Sequence, residues 1–223
     1  MRNRLLKTIE EKLFYGYLAW FYQFIIEKCT APCVGRRILS EDFSCVGGKK
    51  VLDIGSGSGI FLIDMKKMNK KGMLAVGLDI SKPLLKLSRK KSLENNTDKG
   101  TYFICGNAHD LPFMDLSFDM VVVNGALHHF ERPTAVLNEI YRILKSFGKA
   151  YVYEHIRAKN IKDLKDLLFK QRIPGIGLTA LTADEIENTV RSSNFPGYNI
   201  SRDNLLVRIE MEKPPAINSD RFA

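Results

Sequence analysis

Cysteine is scarce, with only Cys29, Cys33, Cys45 and Cys105 in a chain of 223 residues. Cys29 and Cys33 stand four apart and would share a helix face. No histidine or second cysteine pair lies at zinc-ligand spacing, so no metal site is expected. The four are read as free thiols of a reducing compartment. Long apolar runs are lacking too. The longest uncharged stretch, Leu13 to Ile26, would extend about 21 Å as a helix, against the ~30 Å of a bilayer core. Gln23 and three tyrosines interrupt it, so no transmembrane segment is expected. Glu10 and Glu11 fall where a secretory leader needs apolar residues, and a cytoplasmic chain is expected. There is no internal repeat and no low-complexity segment.

What is present is ordinary globular material: 45% hydrophobic and 26% charged residues. The length suits one α/β domain with an appendage. Lys and Arg outnumber Asp and Glu by 34 to 25, a formal net charge of +9. Such a surplus attracts nucleic acid, anionic lipid or an acidic substrate without choosing among them. Many of the cations, among them Lys66, Lys67, Lys86, Arg89 and Lys90, fall on expected helices, where they read as solvated faces.

The hydrophobic pattern divides the chain. Residues 1–45 read as an N-terminal helical cap or lid, with Leu5, Ile9, Leu13, Tyr17, Phe21 and Phe24 at helical spacing and a dense run of aromatics. That segment could pack on the core, wall an acceptor pocket or touch a membrane surface. Residues 46–213 read as one α/β domain, of which 46 to about 155 alternate strand and helix and the part from 156 breaks that rhythm. Strands are expected at Lys50 to Ile54, Met73 to Leu78, Thr101 to Cys105, Phe118 to Val123 and Lys149 to Glu154. Helices are expected at Ile60 to Asn69, after a cap at Asp79 or Ser81 with Pro83 in the first turn, and at Pro133 to Leu144, closed by Gly148. This alternation predicts right-handed βαβ units and a parallel sheet. Thr182 to Glu185 is a capping box that starts another helix, and Asn204 to Glu212 is a late strand expected to join the sheet antiparallel. Residues 214–223 read as a tail.

Three motifs carry chemistry. The first is Val51-Leu52-Asp53-Ile54-Gly55-Ser56-Gly57-Ser58-Gly59, a strand ending in an acid followed by a glycine-rich turn into a helix. Glycines let a ligand lie against backbone, and the helix start adds free N–H groups. The spacing is G-x-G-x-G, with Ile60 where a dinucleotide fingerprint wants a small residue, so NAD is disfavoured. Gly57 stands where a nucleophile elbow needs serine. The second is Asp79, which ends the next strand and can accept from a ribose diol. The third is Gly106-Asn107-Ala108-His109-Asp110-Leu111-Pro112-Phe113, followed by Ser117-Phe118-Asp119.

The order of these motifs resembles class I S-adenosylmethionine-dependent methyltransferases, in the small-molecule branch around the ubiquinone/menaquinone C-methyltransferases. The match spans about Lys50 to Glu154. The resemblance implies a Rossmann-like α/β fold, with a seven-stranded, mostly parallel sheet, helices on both faces and an antiparallel late strand. It implies S-adenosylmethionine as cofactor and S-adenosylhomocysteine as product. Asp53, Gly55, Ser56, Gly57 and Gly59 would hold the methionine part. Asp79 would take the ribose hydroxyls and Ile80 the adenine face. Asn107 and Ala108 would meet the adenine edge, with Asn107 where many relatives carry Asp. Asn124 would lie beside the sulfonium.

Asn124-Gly125-Ala126-Leu127-His128-His129-Phe130 resembles the family's segment below the transferable methyl. Methyl transfer is an in-line displacement in which the protein mainly aligns reactants. A base helps when the acceptor is a phenol, hydroxyl or acidic carbon, and His128 or His129 suits that role. Glu154 and His155 are further rim candidates. The acceptor pocket is expected from the N-terminal helices, the His128-His129 loop and a segment at 156–180. A small-molecule acceptor is favoured. A nucleic-acid or protein acceptor is disfavoured, because Asn124-Gly125-Ala126-Leu127 is not the Asn/Asp-Pro-Pro-aromatic pattern and no RNA-binding module is evident. A non-catalytic binding protein is argued against by the intact glycine loop. A homodimer is compatible with the sequence.

Overall fold

The computed structural model describes Phe43 and residues 46–69, 72–156, 181–203 and 206–215. The expected N-terminal cap apart from Phe43, nearly all of the expected acceptor segment and most of the tail lie outside the described residues. The strands are β1 (Lys50–Ile54), β2 (Leu74–Asp79), β3 (Thr101–Cys105), β4 (Phe118–Asn124), β5 (Leu144–His155), β6 (Tyr198–Asp203) and β7 (Leu206–Glu212). The helices are α1 (Ile60–Met68), α2 (Lys82–Glu94), α3 (Pro133–Ile143) and α4 (Ala183–Arg191), with one 3-10 turn at Leu127–His129. Together the strands form one sheet in the order β3-β2-β1-β4-β5-β7-β6. The first five run parallel, and β7 is antiparallel to both β5 and β6. This is the Rossmann-like α/β arrangement read from the sequence.

The two-residue period of the strands sorts the core into two layers. Leu52 and Ile54 of β1, Val121 and Val123 of β4, and Ala150 and Val152 of β5 face α3 and α4, through Val136, Leu137, Ile140, Ile186 and Val190. Val51, Met120, Val122, Tyr151 and Tyr153 face the other way, onto Phe61, Leu62 and Met65 of α1, Leu85 of α2 and Phe43. Both faces are thus covered, as strands this apolar require.

The expected caps form. Ser81 accepts from Leu84 N at the start of α2, and Thr182 and Glu185 bond reciprocally at the start of α4. Two readings need correction. Gly148 does not close α3. The helix ends at Ile143, the chain turns extended at Leu144, and β5 is already under way. A β-carbon on Gly148 would lie 2.8 Å from the Lys145 carbonyl oxygen, so this glycine serves a close backbone approach within β5. The other correction is β6, a strand the hydrophobic pattern did not assign. It is an edge strand whose apolar residues, Tyr198 and Ile200, are only partly buried, so it lacks the pattern of a core strand.

Candidate active site

Strand order reverses between β1 and β4, and open α/β sheets bind ligands outside the carboxyl ends of strands at such a point. Residues from both strand ends meet there. Gly55 follows β1 with φ 73°, and a β-carbon on it would lie 2.5 Å from the Ala126 Cβ beyond β4. Only glycine allows this contact. Gly55 N and Ser56 N both donate to Leu78 O, at 2.8 and 3.1 Å, which ties the glycine turn to the end of β2. Gly59 caps α1 with φ 74° and lies against Phe103 and Ser88, where no side chain fits.

Asp79 fixes the same turn from β2. Its Oδ2 accepts from Gly57 N and its Oδ1 from Ser81 N, both at 2.8 Å. The residue therefore both anchors the glycine turn and orders the start of α2. A carboxylate has about four acceptor positions, so capacity remains for a ligand hydroxyl. Burial pushes its pKa up, against backbone N–H groups of Ser81, Gly57 and Ile80 that pull it down.

Asp53 is in a different condition. It is 2% exposed at the carboxyl end of β1, and its carboxylate has no hydrogen-bond partner among the described residues. Burial, with a smaller contribution from the negative charge of Asp79, raises its pKa to about 7. A buried acid without a partner is suited to pairing with a cation. Ser56 Oγ is buried and also without a partner, over the space that Gly77 leaves open.

The remaining predicted residues surround this floor. Ile80 is 66% exposed, an apolar side chain open to a ligand face. Ala108 is buried at 7%. Asn107 is exposed, but its Oδ1 accepts from His109 N and pairs with His109 Nδ1, each at 3.0 Å. That oxygen is therefore committed to its own loop, and the amide NH2 is what Asn107 can offer. Asn124 ends β4 half-buried, with its side chain unbonded among the described residues. Next to it Gly125 has φ 63°, and a β-carbon there would meet nothing within 4 Å. Open space thus lies directly beside Asn124.

His128 and His129 occupy the 3-10 turn beyond β4, with ring centroids 3.9 Å apart. His128 Nδ1 lies 2.9 Å from Glu154 Oε1, and His128 N donates to Glu154 Oε2 at 3.2 Å. Glu154 is fully buried, so it is no free rim carboxylate. Two arrangements escaped the sequence reading. One is this pairing, which the parallel register of Asn124 with Tyr153 brings about by placing Glu154 one residue further along. The other is His109, whose Nε2 accepts from Arg132 N at 3.1 Å. Its proton therefore sits on Nδ1, facing Asn107, and the ring joins the loop after β3 to the loop before α3. The adjacency of Asn107 and His109 was a visible turn signal; the reach to Arg132 was not.

The floor suits the group the motifs imply. An unpaired buried carboxylate fits an ammonium, Asp79 fits a hydroxyl, exposed Ile80 fits an aromatic face, and Gly125 leaves room beside Asn124. A family model described as a methyltransferase domain matches residues 52–152. A SAM-dependent methyltransferase from Aquifex aeolicus superposes with a TM-score of 0.67 at 16% identity, covering 86% of this chain and 97% of that one. Residues 52–152 thus match a methyltransferase domain, and the fold is similar to that of S-adenosylmethionine-dependent methyltransferases. The chain's relatives include the ubiquinone/menaquinone biosynthesis C-methyltransferase UbiE of Wigglesworthia glossinidia brevipalpis, 33% identical over 132 residues, 58% of this chain and 52% of the relative. The namesake from Rickettsia typhi is 31% identical over 167 residues, 72% of this chain and 66% of the relative. The chain spans about half to two thirds of the length of these curated relatives. Among the described residues, no helix is long and apolar enough to cross a membrane.

Proposed function

We propose that the protein transfers a methyl group from S-adenosylmethionine to a ring carbon of a small hydroquinone. The observation that carries the cofactor half is Asp53, an unpaired carboxylate buried beside a glycine turn that Asp79 holds in place. The acceptor half is supported by the relatives, which are C-methyltransferases of quinone biosynthesis. When bound, the cofactor supplies an electrophilic methyl group and its own leaving group.

The chain supplies binding and alignment. Asp53, Ser56 and the Gly55, Gly57 and Gly59 turn hold the methionine part, Asp79 a ribose hydroxyl, Ile80 the adenine face, and Asn107 and Ala108 the adenine edge. Asn124 lines the space beside the reacting centre. A hydroquinone carbon becomes nucleophilic when the neighbouring hydroxyl gives up its proton. His128 takes that proton, and His129 packs against its ring. A cytosolic setting is in keeping with Cys105, an exposed free thiol.

Calorimetric titration with S-adenosylmethionine and S-adenosylhomocysteine tests the cofactor half. Saturable micromolar binding is expected, and silence toward both ligands would overturn it. Methyl incorporation into a short-chain 2-prenyl-1,4-naphthohydroquinone tests the acceptor half.

A further inference from the structure

Glu154 is a fully buried acid in the sheet. It extends from β5 on the same face as Ala150 and Val152, and its side chain is 0% exposed. A carboxylate there loses its hydration, and unless bonded it destabilises the fold by several kcal/mol. Each of its oxygens has a contact with His128: Oε2 takes the backbone N–H, and Oε1 faces Nδ1 of the ring.

The backbone bond alone would hold the 3-10 turn in place. The ring bond does something a staple does not need. A carboxylate only accepts, so the imidazole proton is drawn to Nδ1. Nε2 then carries a lone pair, and it has no hydrogen-bond partner among the described residues. The ring is restrained, because the same carboxylate also takes its backbone N–H and the His129 ring centroid lies 3.9 Å away. The side chain is 9% exposed, and it stands four residues beyond Asn124, at the strand end where the candidate site opens.

We propose that Glu154 is the positioning residue of His128: it fixes the tautomer with hydrogen on Nδ1 and so presents Nε2 as the acceptor of the substrate's hydroxyl proton. The proton passes from that oxygen to Nε2, and the resulting imidazolium lies against the Glu154 carboxylate, which stabilises it. This rests on the acceptor reading above for its chemistry, but the tautomer itself does not depend on that reading.

Two measurements decide it. Long-range 1H–15N correlation on histidine-labelled protein, with the His128 signal identified by its loss in His128→Asn, reads the tautomer directly. In the wild-type protein at pH 8.5, Nδ1 should be protonated and Nε2 should show the shift of a bare ring nitrogen. Glu154→Gln can donate from its amide to Nδ1, and should move the population toward the Nε2-protonated form. A wild-type His128 protonated on Nε2, or a tautomer indifferent to Glu154→Gln, overturns the proposal. The wild-type spectrum needs no variant, so the tautomer can be read even if Glu154→Gln misfolds.

The kinetic arm uses S-adenosylmethionine and the short-chain prenyl naphthohydroquinone. Glu154→Gln should lower kcat by about 100-fold or more, the scale of a general base, and leave the KM for S-adenosylmethionine within about twofold. Glu154→Asp keeps the charge and should recover most of the lost rate. Equal kcat in wild type and Glu154→Gln would overturn the proposal. If the wild-type protein does not methylate the naphthohydroquinone, the acceptor reading fails, and the spectrum alone settles the role of Glu154.

Discussion

Asp53 and Asp119 sit on adjacent parallel strands at opposite ends of the sheet, and the protein treats them oppositely. Asp119, at the amino end of β4, accepts from Lys50 N at 2.8 Å and from Lys145 Nζ at 2.7 Å. Burial raises its pKa, but those bonds and the charges of Lys145 and Lys49 outweigh it and hold the carboxyl below its usual range. Asp53, at the carboxyl end of β1, gains no such bond and is pushed up to about 7. The contrast extends to their neighbours. Near the amino end of β4, Arg142 bonds to Glu139, Asp115 and the carbonyls of Leu111 and Phe113. Around Asp53, Ser56 Oγ is orphaned and the Asn124 side chain makes no bond among the described residues. One end of the sheet satisfies itself. The other holds polar groups in reserve, which stability alone does not explain and ligand binding does.

The comparison is broken most forcefully at Asp53. Its pKa is higher folded than unfolded, so between about pH 4 and 7 the folded state keeps a proton that the unfolded chain has released. Stability therefore falls with rising pH across that window and levels off above it. Asp53→Asn should stabilise the protein by roughly 2–4 kcal/mol at pH 8 and by nothing near pH 4, read as urea midpoints across a pH series. The same variant should lose most of its affinity for S-adenosylmethionine. Unchanged midpoints at pH 8 would mean that Asp53 is not strained. Asp79 lies between the two extremes, since it is both bonded and open. Asp79→Ala should weaken S-adenosylmethionine binding by roughly 1.5–3 kcal/mol in calorimetry, the scale of hydrogen bonds to a charged group. An unaltered affinity in the folded variant would remove it from the site.

The smallest effect, with the opposite sign to Asp53→Asn, belongs to Asp119. Its depressed pKa contributes stability that is present above about pH 4 and lost as pH falls through the lower folded value. Asp119→Asn should cost about 1 kcal/mol at pH 7, a figure moderated by its partial exposure, and should leave cofactor affinity untouched. A loss of affinity there would erase the distinction between the two ends.

How much of this was legible in the sequence follows from the range of each interaction. β1 and β3 were readable to the residue, because an apolar run stopped by glycines or flanked by polar turns is a local signal. The capping box at Thr182 was equally local. The start of β5 was not, since a glycine after a helix looks like a cap whether it ends the helix or lies within the next strand. β6 is placed by its pairing with β7, and its own residues carry little of that information. In the candidate site, Asp53 and the glycine turn were legible because one strand-turn-helix unit holds them, and Asp79 because it ends the next strand. The reach of Glu154 to His128 crosses 26 residues and depends on the register of β4 against β5. Composition and spacing contain no record of it.

The contact between Gly55 and Ala126 bears on which parts of the crevice are free to vary. The two turns at the base of the crevice touch where no further atom can enter, so the ends of β1 and β4 stand at closest approach there. Any side chain at position 55 would force the two turns apart. Variation that preserves the floor therefore falls on the loops above it, where substitutions leave this contact intact.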